Sequence, residues 1–311
     1  MNRPGRRRNV YEGLALDRAA ARRSDAAWLA ERLADPTTRI LPVWRERNLI
    51  RHEGGDRPTP ALIAPEIAAA LAGGGAEFVL LGTAGGTAYF ALSLSHLEEA
   101  AALEAVGPHG ALAELRAIGT LLEEGDAAML AYGRAITTWH NRHRFCGVCG
   151  HPTRSADGGH MRRCSNGACG AQHFPRTDPA VIMAIERDNR LLLARQYSWP
   201  EGMHSVLAGF VEPGESLEET VARETREEAG LELADIRYHS SQPWPFPTSI
   251  MLGFSARALS GDARACEPDI ESIGWYDRDF LRNSPEDRTF KLPTAHSIAR
   301  RLVDDWIAAG D

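Results

Sequence analysis

Long apolar runs and an excess of positive charge are both missing from this 311-residue chain. No stretch approaches the roughly 18 apolar residues of a transmembrane helix, so we expect no membrane association. The formal net charge is −7, which gives no electrostatic reason to expect duplex nucleic acid as the main partner. What remains is an ordinary globular composition, 43% hydrophobic and 25% charged, with enough length for two or three domains.

Cysteine is scarce and unevenly distributed. Four of the five cysteines lie between residues 146 and 169, whereas Cys266 stands alone. Such clustering does not suit a disulfide framework and favours metal-bound thiolates in a reducing compartment. We therefore expect a cytoplasmic protein, and we interpret Cys266 as an ordinary thiol.

The clustered cysteines form two pairs, one with two intervening residues and the other with four. Pairs on tight, glycine-containing turns can place four thiolates at the corners of a tetrahedron around Zn²⁺. Four sulfur ligands leave no position for a catalytic water, so one structural zinc ion per chain is predicted, in a module of residues 142–175. His151 and His160 are alternative ligands that four cysteines make unnecessary. The predicted zinc ligands are Cys146, Cys149, Cys164 and Cys169.

Residues 1–141 carry no catalytic constellation. The glycine cluster Gly82, Gly85 and Gly86 lacks the lysine of a phosphate loop and is predicted to be a hairpin turn. This region is interpreted as a mixed α/β domain with a supporting or dimerising role. Hydrophobic periodicity predicts helices over 25–35, 111–124 and 126–140, and strands within 39–51 and 76–95.

Residues 176–311 read as a β-hairpin, a strand, a helix, several strands and a final helix. This order predicts an α+β sandwich with a mixed sheet. The strands are predicted over 179–185, 191–194, 205–211, 231–239, 249–259 and 270–276, and the final helix over 294–308.

The stretch from Gly209 to Leu231 is the most informative. Ser216 and Glu219 form a capping box, so a helix is predicted to start near Ser216, with Gly230 just past its end. Glu224, Glu227 and Glu228 follow the spacing i, i+3, i+4 and fall within one arc of that helix. Clustered carboxylates suit hard cations such as Mg²⁺ or Mn²⁺, which also bind substrate phosphates.

An isolated acidic triplet would be interpreted as a solvated helix face, but this one is embedded in a longer pattern. The pattern G-x5-E-x7-R-E-U-x-E-E-x-G-U, in which U is a bulky apolar residue, is the Nudix box. Residues 209–231 resemble it throughout, with Glu215 at its first glutamate. Thr225 stands where an aliphatic residue is usual, which concerns packing and leaves every ligand position unchanged.

A second informative stretch, SQPWPFPTS, covers residues 241–249. Its three prolines predict a stiff, extended loop that carries Trp244 and Phe246. Two interpretations stay open from the residues alone. The aromatic rings either fill the core under the loop or stack on a base or nicotinamide ring.

The Nudix box, the four-cysteine module and SQPWPFP together resemble the NADH pyrophosphatase (NAD⁺ diphosphatase) family of Nudix hydrolases. The likeness covers nearly the whole chain and implies three domains: an N-terminal α/β domain (1–141), a zinc ribbon (142–175) and a Nudix α/β/α sandwich (176–311). It implies an enzyme that hydrolyses the diphosphate of NAD(H) to nicotinamide mononucleotide and AMP, and that extends to NAD-capped RNA. A homodimer is also expected from the family.

The resemblance further implies the roles of particular residues. Glu224 and Glu228 are the main ligands of Mg²⁺ or Mn²⁺, with Glu227 and Glu215 completing or orienting the cluster. The Ala208 carbonyl is a further ligand, and the downstream carboxylate is either Asp269 or Glu271. Substrate-binding positions are Phe174, Phe210, Ser241, Gln242, Pro243, Trp244, Pro245, Phe246, Pro247 and Ser249.

Two other functions compete with this one. The first is a Nudix hydrolase for another substrate, such as ADP-ribose or a dinucleoside polyphosphate. The second is a non-enzymatic binder whose zinc ribbon docks nucleic acid. The ribbon is locally basic through Arg144, Arg154, Arg162 and Arg163, but without interleaved aromatic residues this signal is weak.

Overall fold

The computed structural model describes residues 7–52, 54, 57–73 and 76–310. These residues form two compact units, each built from more than one chain segment. The C-terminal unit contains residues 7–10, 178–243 and 249–310, and the N-terminal unit contains residues 11–177 and 244–248. The predicted three-domain boundaries stay a prediction. Among the described helices, none combines the length and apolar character that a membrane crossing requires.

A mixed sheet forms the centre of the N-terminal unit. Its strand order is β3-β2-β1-β5-β4, with β6 also paired to β2, and β1 runs parallel to β5. The strands are β1 (Arg39–Trp44), β2 (Arg47–His52), β3 (Pro58–Pro60), β4 (Phe78–Ala84), β5 (Thr87–Ser93) and β6 (Ala111–Glu114). The helices are α1 (Ala26–Ala34), α2 (Pro65–Ala72), α3 (Glu99–Val106), α4 (Leu115–Ile118) and α5 (Glu124–Arg142).

Most predicted elements of this unit are confirmed. Asp25 caps α1, and its carboxylate accepts from the backbone N–H of Trp28. The predicted hairpin turn is confirmed at Gly85 and Gly86, which have positive φ between β4 and β5, whereas Gly82 lies within β4 at a register shift. The helix predicted over 111–124 is wrong in its first part, because residues 111–114 pair with β2 instead. The predicted break at Gly125 is also wrong, since α5 runs through it.

The ribbon module is a small antiparallel sheet within the same unit. Its strands are β7 (Thr153–Ala156), β8 (Met161–Cys164) and β9 (Gln172–His173), in that spatial order. Arg162 of β8 is buried, and its guanidinium donates to the Glu77 carboxylate and to Thr153. Burial would raise the pKa of Glu77, but hydrogen bonds from His140 and Arg162 lower that pKa to about 2. The ribbon is thus fastened to the residues beside β4.

The C-terminal unit contains the second mixed sheet. Its strand order is β13-β14-β10-β11-β15, with β12 paired to β10, and β10 runs parallel to β14. The strands are β10 (Asp178–Arg187), β11 (Arg190–Gln196), β12 (Leu207–Phe210), β13 (Leu233–Trp244), β14 (Ser249–Ala258) and β15 (Ile270–Asp277). The helices are α6 (Leu217–Ala229), α7 (Arg278–Arg282) and α8 (Ile298–Ala308).

The two faces of this sheet each bury a helix. Along β10, Val181 and Met183 pack in the cluster that contains Val221 of α6. The alternate residue Ile182 packs in the cluster that contains Leu302 of α8. This period-2 alternation is what a strand covered on both faces requires. The α+β class and the α/β/α sandwich are therefore confirmed, and they place the acidic helix α6 on one face, against β12.

Candidate functional site: a carboxylate cluster and a four-cysteine centre

Helix α6 begins and ends as its sequence predicts. The Ser216 hydroxyl accepts from the Glu219 N–H, and the Glu219 carboxylate accepts from the Ser216 N–H, so both bonds of the capping box form. Gly230 ends the helix in the left-handed conformation, with φ of 69°. The Thr225 hydroxyl, which is buried, donates to the Val221 carbonyl. The departure from the usual aliphatic residue therefore leaves no unsatisfied polar group.

The three glutamates on one arc of α6 differ in exposure. The Glu228 residue is 6% exposed, the Glu224 side chain 13% and the Glu227 side chain 48%. The arc therefore runs from the buried side of the helix to solvent. Such a gradient gives one end of the cluster a low dielectric and leaves the other end open to a substrate.

Arg223 links the other glutamates of the predicted site. Its guanidinium binds both oxygens of Glu215, with Nε to Oε1 at 2.6 Å and Nη2 to Oε2 at 3.0 Å. Its Nη1 lies 2.9 Å from a Glu224 oxygen and 2.8 Å from a Glu227 oxygen. Nη2 also donates to the Phe210 carbonyl at 2.9 Å. One arginine thus joins the helix to the end of β12 and to the loop before the helix.

Glu215 is fully engaged in this network. Besides Arg223, its carboxylate accepts from the Glu212 N–H and from the Thr220 hydroxyl, each at 3.0 Å. The Arg223 guanidinium, followed by these donors, lowers the pKa of Glu215 to about 2. Glu215 therefore holds Arg223 and the loop before α6 in place, and its role in completing or orienting a metal cluster stays a prediction.

Glu228 has the opposite environment. Burial, and then the charges of Glu224, Glu267 and Asp269, raise its pKa to about 8, against a smaller effect of the Ala208 N–H. Its Oε2 atom is buried and has no hydrogen-bond partner among the described residues. Burial also raises the pKa of Glu224. A buried, unpartnered carboxylate is costly unless a proton or a cation neutralises it.

Glu224 is seated directly on the backbone of Gly209. A Cβ atom built on Gly209 would lie 1.8 Å from Glu224 Cδ, so only glycine leaves room for this carboxylate. Gly209 lies in β12, opposite Val181 of β10. The first glycine of the Nudix box therefore has a steric function, which is to let Glu224 approach the strand that carries Ala208.

The two candidates for the downstream carboxylate lie in different surroundings. Glu271 forms an ion pair with Arg195 at 2.8 Å, whereas Asp269 is close enough to Glu228 to raise its pKa. Glu267, which the sequence reasoning missed, acts on both Glu224 and Glu228. The alternation Glu267, Asp269, Glu271 was the available signal, but it does not show which members face the helix.

The residue types fit a hard divalent cation. Glu224, Glu228 and the neighbouring Asp269 and Glu267 offer carboxylate oxygens, and the orphan Glu228 oxygen lacks any protein donor. The carboxylate oxygens are not gathered at ligand distances, because Arg223 holds part of the cluster. Within the described ranges, the one group of three or more ligand atoms within 4.8 Å of one another is the four cysteines.

The four cysteines converge as predicted. Cys146 Sγ lies 3.9 Å from Cys169 Sγ, and Cys149 Sγ lies 3.4 Å from Cys164 Sγ. A tetrahedral zinc with Zn–S bonds of about 2.3 Å requires sulfur separations of about 3.8 Å. The His151 and His160 rings bind carbonyl groups instead, those of Cys149 and Leu80. The cluster fits structural zinc.

Sulfur acceptors in this cluster also receive donors from the surrounding backbone. The Val148 N–H lies 3.4 Å from Cys146 Sγ. Backbone hydrogen bonding, followed by the Cys164 thiol, lowers the pKa of Cys149 to about 6, whereas burial raises the pKa of Cys164 to about 12. Without a cation the four groups cannot all ionise together, which is why a four-thiolate site requires a metal ion.

The loop predicted over 241–249 is wrong at both ends, because β13 runs to Trp244 and β14 begins at Ser249, so that only residues 245–248 form a turn. The stretch is divided between the two units. In the C-terminal unit, Gln242 is fully buried and its amide is satisfied at both ends. Nε2 donates to the Val10 and His296 carbonyls, and Oε1 accepts from the Ile298 N–H. Gln242 therefore fastens the N-terminal segment to the start of α8. Of its neighbours here, Ser241 and Ser249 are half-buried, whereas Pro243 is exposed.

In the N-terminal unit, the aromatic residues of the loop form a packed cluster. The Trp244 and Phe246 rings meet edge to face at 5.0 Å, and both contact the Tyr11 ring. Arg134 lies over Phe246 and donates to the Pro245 carbonyl at 2.7 Å. Pro245 is buried, and Trp244, Phe246 and Pro247 are half-buried. This packing is the arrangement expected of aromatics that fill a core.

The two isolated aromatic positions behave differently. Phe174 is 63% exposed and Phe210 is 60% exposed, although large apolar side chains normally lose such surface. Phe210 lies at the end of β12, where its carbonyl accepts from Arg223. These two rings keep free faces, as a role in holding a substrate ring requires.

Three domain-family models match consecutive parts of the chain. The model of the NADH pyrophosphatase-like rudimentary NUDIX domain matches residues 37–139. The NADH pyrophosphatase zinc ribbon model matches residues 141–174, and the NUDIX domain model matches residues 176–296. The three matches follow one another along the chain without overlap.

Curated proteins similar to this chain are named NAD-capped RNA hydrolases. The NAD-capped RNA hydrolase NudC of Stutzerimonas stutzeri is 43% identical over 180 residues, which are 58% of this chain and 62% of that protein. The NudC of Mycobacterium tuberculosis is 40% identical over 205 residues, 63% of this chain and 65% of that protein. Human NUDT12, also an NAD-capped RNA hydrolase, is 36% identical over 197 residues, 60% and 43% respectively. This chain spans less than two thirds of the length of each relative.

Proposed function

We propose that this chain, a Nudix protein with the zinc ribbon and rudimentary Nudix domain of NADH pyrophosphatases, hydrolyses the central diphosphate of NAD(H). The products are nicotinamide mononucleotide and AMP, and the same reaction removes an NAD cap from RNA. The observation that carries the proposal is the buried Oε2 atom of Glu228, which has no hydrogen-bond partner among the described residues and belongs to a carboxylate whose pKa is raised by burial, Glu224 and Asp269. The activity for which the similar NudC and NUDT12 proteins are named, hydrolysis of NAD-capped RNA, supports the choice of substrate.

Mg²⁺ or Mn²⁺ is the proposed catalytic metal. Glu224 and Glu228 would hold it, with Asp269 as the downstream carboxylate in preference to Glu271, which Arg195 already binds. The Ala208 carbonyl stays part of this proposed ligand set. When bound, the cations neutralise the diphosphate and lower the pKa of an attacking water.

The residues of the chain supply orientation and a proton acceptor. Arg223 keeps Glu224 and Glu227 on one side of α6, and Glu215 keeps Arg223 in place. Glu227 is the most exposed of the three glutamates on the arc (Glu224, Glu227 and Glu228), so it is the proposed acceptor of the water proton. Water attacks one phosphorus, the bond from that phosphorus to the bridging oxygen breaks, and the other nucleotide leaves. No covalent intermediate with the protein is needed.

The substrate-ring role is proposed for Phe174 and Phe210, whose side chains are exposed. The packed residues Trp244 to Pro247 and the buried Gln242 are proposed to act by shaping the loop that carries them. We also infer a homodimer in the cytoplasm, as the family resemblance implies. Sedimentation equilibrium tests the dimer.

The test is a substrate panel with product identification. NADH, NAD⁺, NAD-capped RNA, ADP-ribose and a dinucleoside polyphosphate are incubated with Mg²⁺, with Mn²⁺ or with a chelator. The proposal expects metal-dependent release of AMP and nicotinamide mononucleotide from NAD(H), and of the mononucleotide from capped RNA. If ADP-ribose has the highest kcat/KM, the chain is a Nudix hydrolase for another substrate. If no diphosphate is cleaved with either metal, the enzymatic proposal fails.

A further inference from the structure

One side of the ribbon sheet carries a row of exposed residues that crosses its three strands, although Met161, at the start of β8 on the same side, is buried. Across β7 and β8, Arg154 lies directly opposite Arg163, and Arg163 lies opposite Gln172 of β9. Phe145 forms a bridge with Pro152, which is two residues before Arg154 and so lies on the same side. All five residues are exposed, Phe145 by 66%. We call this set (Phe145, Pro152, Arg154, Arg163 and Gln172) the ribbon face.

The opposite side of the same sheet is buried. Thr153, Arg162 and Cys164 alternate with the exposed residues and have little accessible surface. Arg162 is therefore used inside the protein, where it pairs with Glu77 at 2.5 Å. The basic residues of the ribbon strands therefore lie on two different sides of the sheet. Arg162 has a structural partner, whereas Arg154 and Arg163 point away from it.

The charge of the ribbon face is uncompensated. The structure records no acidic partner for Arg154 or Arg163 among the described residues, and like charges directly opposite in a sheet are destabilising. Residues 142–175 contain five arginines and one acid, Asp157, which gives +4 with histidine neutral. Four thiolates and one Zn²⁺ would add −2, so the module stays at +2 within a chain of net charge −7.

The combination of an exposed ring with two free guanidinium groups suits single-stranded nucleic acid. An aromatic face stacks on any base, and arginines bind the phosphates that follow it. The sequence lacked an interleaved aromatic residue within the strands, but the bridge between Phe145 and Pro152 brings one to the arginine side. A duplex would hide its bases, so Phe145 would have no partner there.

We propose that the ribbon face binds a single-stranded segment of RNA. The inference deepens the proposed function, on which it rests, because an NAD-capped RNA carries such a segment after the cap. Arg154 and Arg163 bind phosphates, Phe145 stacks on a base, and Gln172 offers an amide at the edge of the face.

Binding of uncapped RNA tests the face without any turnover. A labelled single-stranded RNA of about 12 nucleotides is titrated with full-length protein by fluorescence anisotropy at several salt concentrations. R154E/R163E is expected to weaken binding at least about tenfold and to reduce the slope of log K against log salt by about 1.4, or 0.7 for each lost contact. Phe145→Ala is expected to weaken binding about 5- to 150-fold, the range that corresponds to loss of one stacked base.

The matched control changes the same charge elsewhere. R190E/R237E replaces two exposed arginines of the C-terminal unit for which the described part of the chain supplies no acidic partner. It is expected to bind RNA much more strongly than R154E/R163E. Equal loss in both pairs would overturn the proposal, since net charge alone would explain the effect. Equal binding of polyglutamate and RNA would also overturn it, by showing a surface for acidic chains in general. Zinc content of each variant shows that the ribbon is intact.

Turnover separates this inference from the function on which it rests. R154E/R163E is expected to raise KM for NAD-capped RNA at least about tenfold and to leave kcat/KM for NADH unchanged. A wild-type protein that binds uncapped RNA through the ribbon face but cleaves neither substrate would sink the enzymatic proposal and keep this one. If R154E/R163E keeps both the wild-type kinetics on NAD-capped RNA and the wild-type affinity for uncapped RNA, the ribbon-face proposal fails and the enzymatic proposal stands.

Discussion

Two candidate metal sites in this molecule, the four cysteines and the proposed carboxylate cluster, are supported in different ways. In the ribbon, four sulfur atoms lie within 4.8 Å of one another, between strands of only two to four residues. In the C-terminal unit, the glutamates project from a 13-residue helix that packs on a sheet through residues such as Val221 and Ala229. There Arg223 forms ion pairs with Glu215, Glu224 and Glu227, which partly neutralise the charge of these carboxylates.

The difference indicates what each cluster needs from its ion. Short hairpins cannot bury enough apolar surface to fold alone, so the binding energy of zinc becomes folding energy. The acidic helix has its own core, so the proposed cation would have to overcome only the contacts of Arg223 and the raised pKa of Glu228. Loss of the ion should therefore unfold the ribbon but only inactivate the carboxylate cluster.

The largest effect is expected from Cys149→Ser. Removal of one thiolate opens the tetrahedral site, and structural zinc is worth about 10–16 kcal/mol of folding energy in zinc-finger peptides. We expect loss of bound zinc and rapid proteolysis within residues 146–173, measured by metal analysis and mass spectrometry. Cys266→Ser, which removes the exposed fifth cysteine, is the control and should keep both properties. Full zinc retention in Cys149→Ser would contradict the four-ligand assignment.

Glu228→Gln should act in the opposite way, on activity and not on folding. It keeps the shape of a buried side chain but removes a ligand, so AMP release from NADH should fall about 10³-fold or more. Without added Mg²⁺ or Mn²⁺, the zinc-loaded variant should be at least as stable as the wild type, because glutamine is neutral at every pH whereas the buried glutamate has to be neutralised. Glu218→Gln, at an exposed position of the same helix, is the control. A near-normal rate of AMP release in Glu228→Gln would rule out the proposed role.

Gly209→Ala tests the acidic cluster in another way, because it displaces Glu224 without changing any carboxylate. The added methyl group would overlap the Glu224 carboxylate, which must shift by an ångström or more. A displacement of this size costs about 100-fold in rate. Gly261→Ala, where a Cβ would meet its nearest atom at 3.5 Å, is the matched control. Circular dichroism should show both variants folded, and equal rates would mean that Glu224 has more freedom than the structure indicates.

The parts of both clusters that were predictable from sequence depend on local patterns. The capping box, the glycine at the end of α6 and the spacing of the cysteine pairs each involve residues close along the chain. These features form between residues that are close in sequence and need no contact with a distant part of the chain. For the same reason the β-hairpin predicted at the start of residues 176–311 is confirmed, with positive φ at the turn residues Asp188 and Asn189.

The parts that were not predictable depend on distant pairing. Glu271 falls at a register shift between β11 and β15, where Arg195 pairs with Ser272 and Gln196 with Ile270. This bulge leaves Glu271 without a partner in the ladder and breaks the simple alternation with Asp269. Gln242 is similar, because its partners Val10 and His296 are far away in sequence. Strand β6 was predicted as helix, since only its pairing with β2 overrides the local preference.

The smallest effect concerns pH and tests how the ribbon is fastened beside β4. Nε2 of His160 lies 2.8 Å from the Leu80 carbonyl and 3.2 Å from the Tyr132 hydroxyl. Burial lowers the pKa of His160 from 6.5 to about 4, so the folded state favours the neutral ring. The stability it contributes is therefore complete above pH 6.5 and is lost as the pH falls towards 4, by at most about 1.4 kcal/mol per pH unit.

His160→Gln separates this acid sensitivity from that of the thiolates, because zinc itself is also released when cysteines are protonated. A glutamine can still donate to the Leu80 carbonyl but does not titrate. The melting temperature of the zinc-loaded variant should thus fall less steeply than that of the wild type between about pH 6.5 and pH 4.5. His52→Gln, at an exposed position of β2, should follow the wild-type curve. If His160→Gln follows that curve as well, His160 does not contribute to the acid sensitivity, and protonation of the zinc-bound cysteines alone explains it.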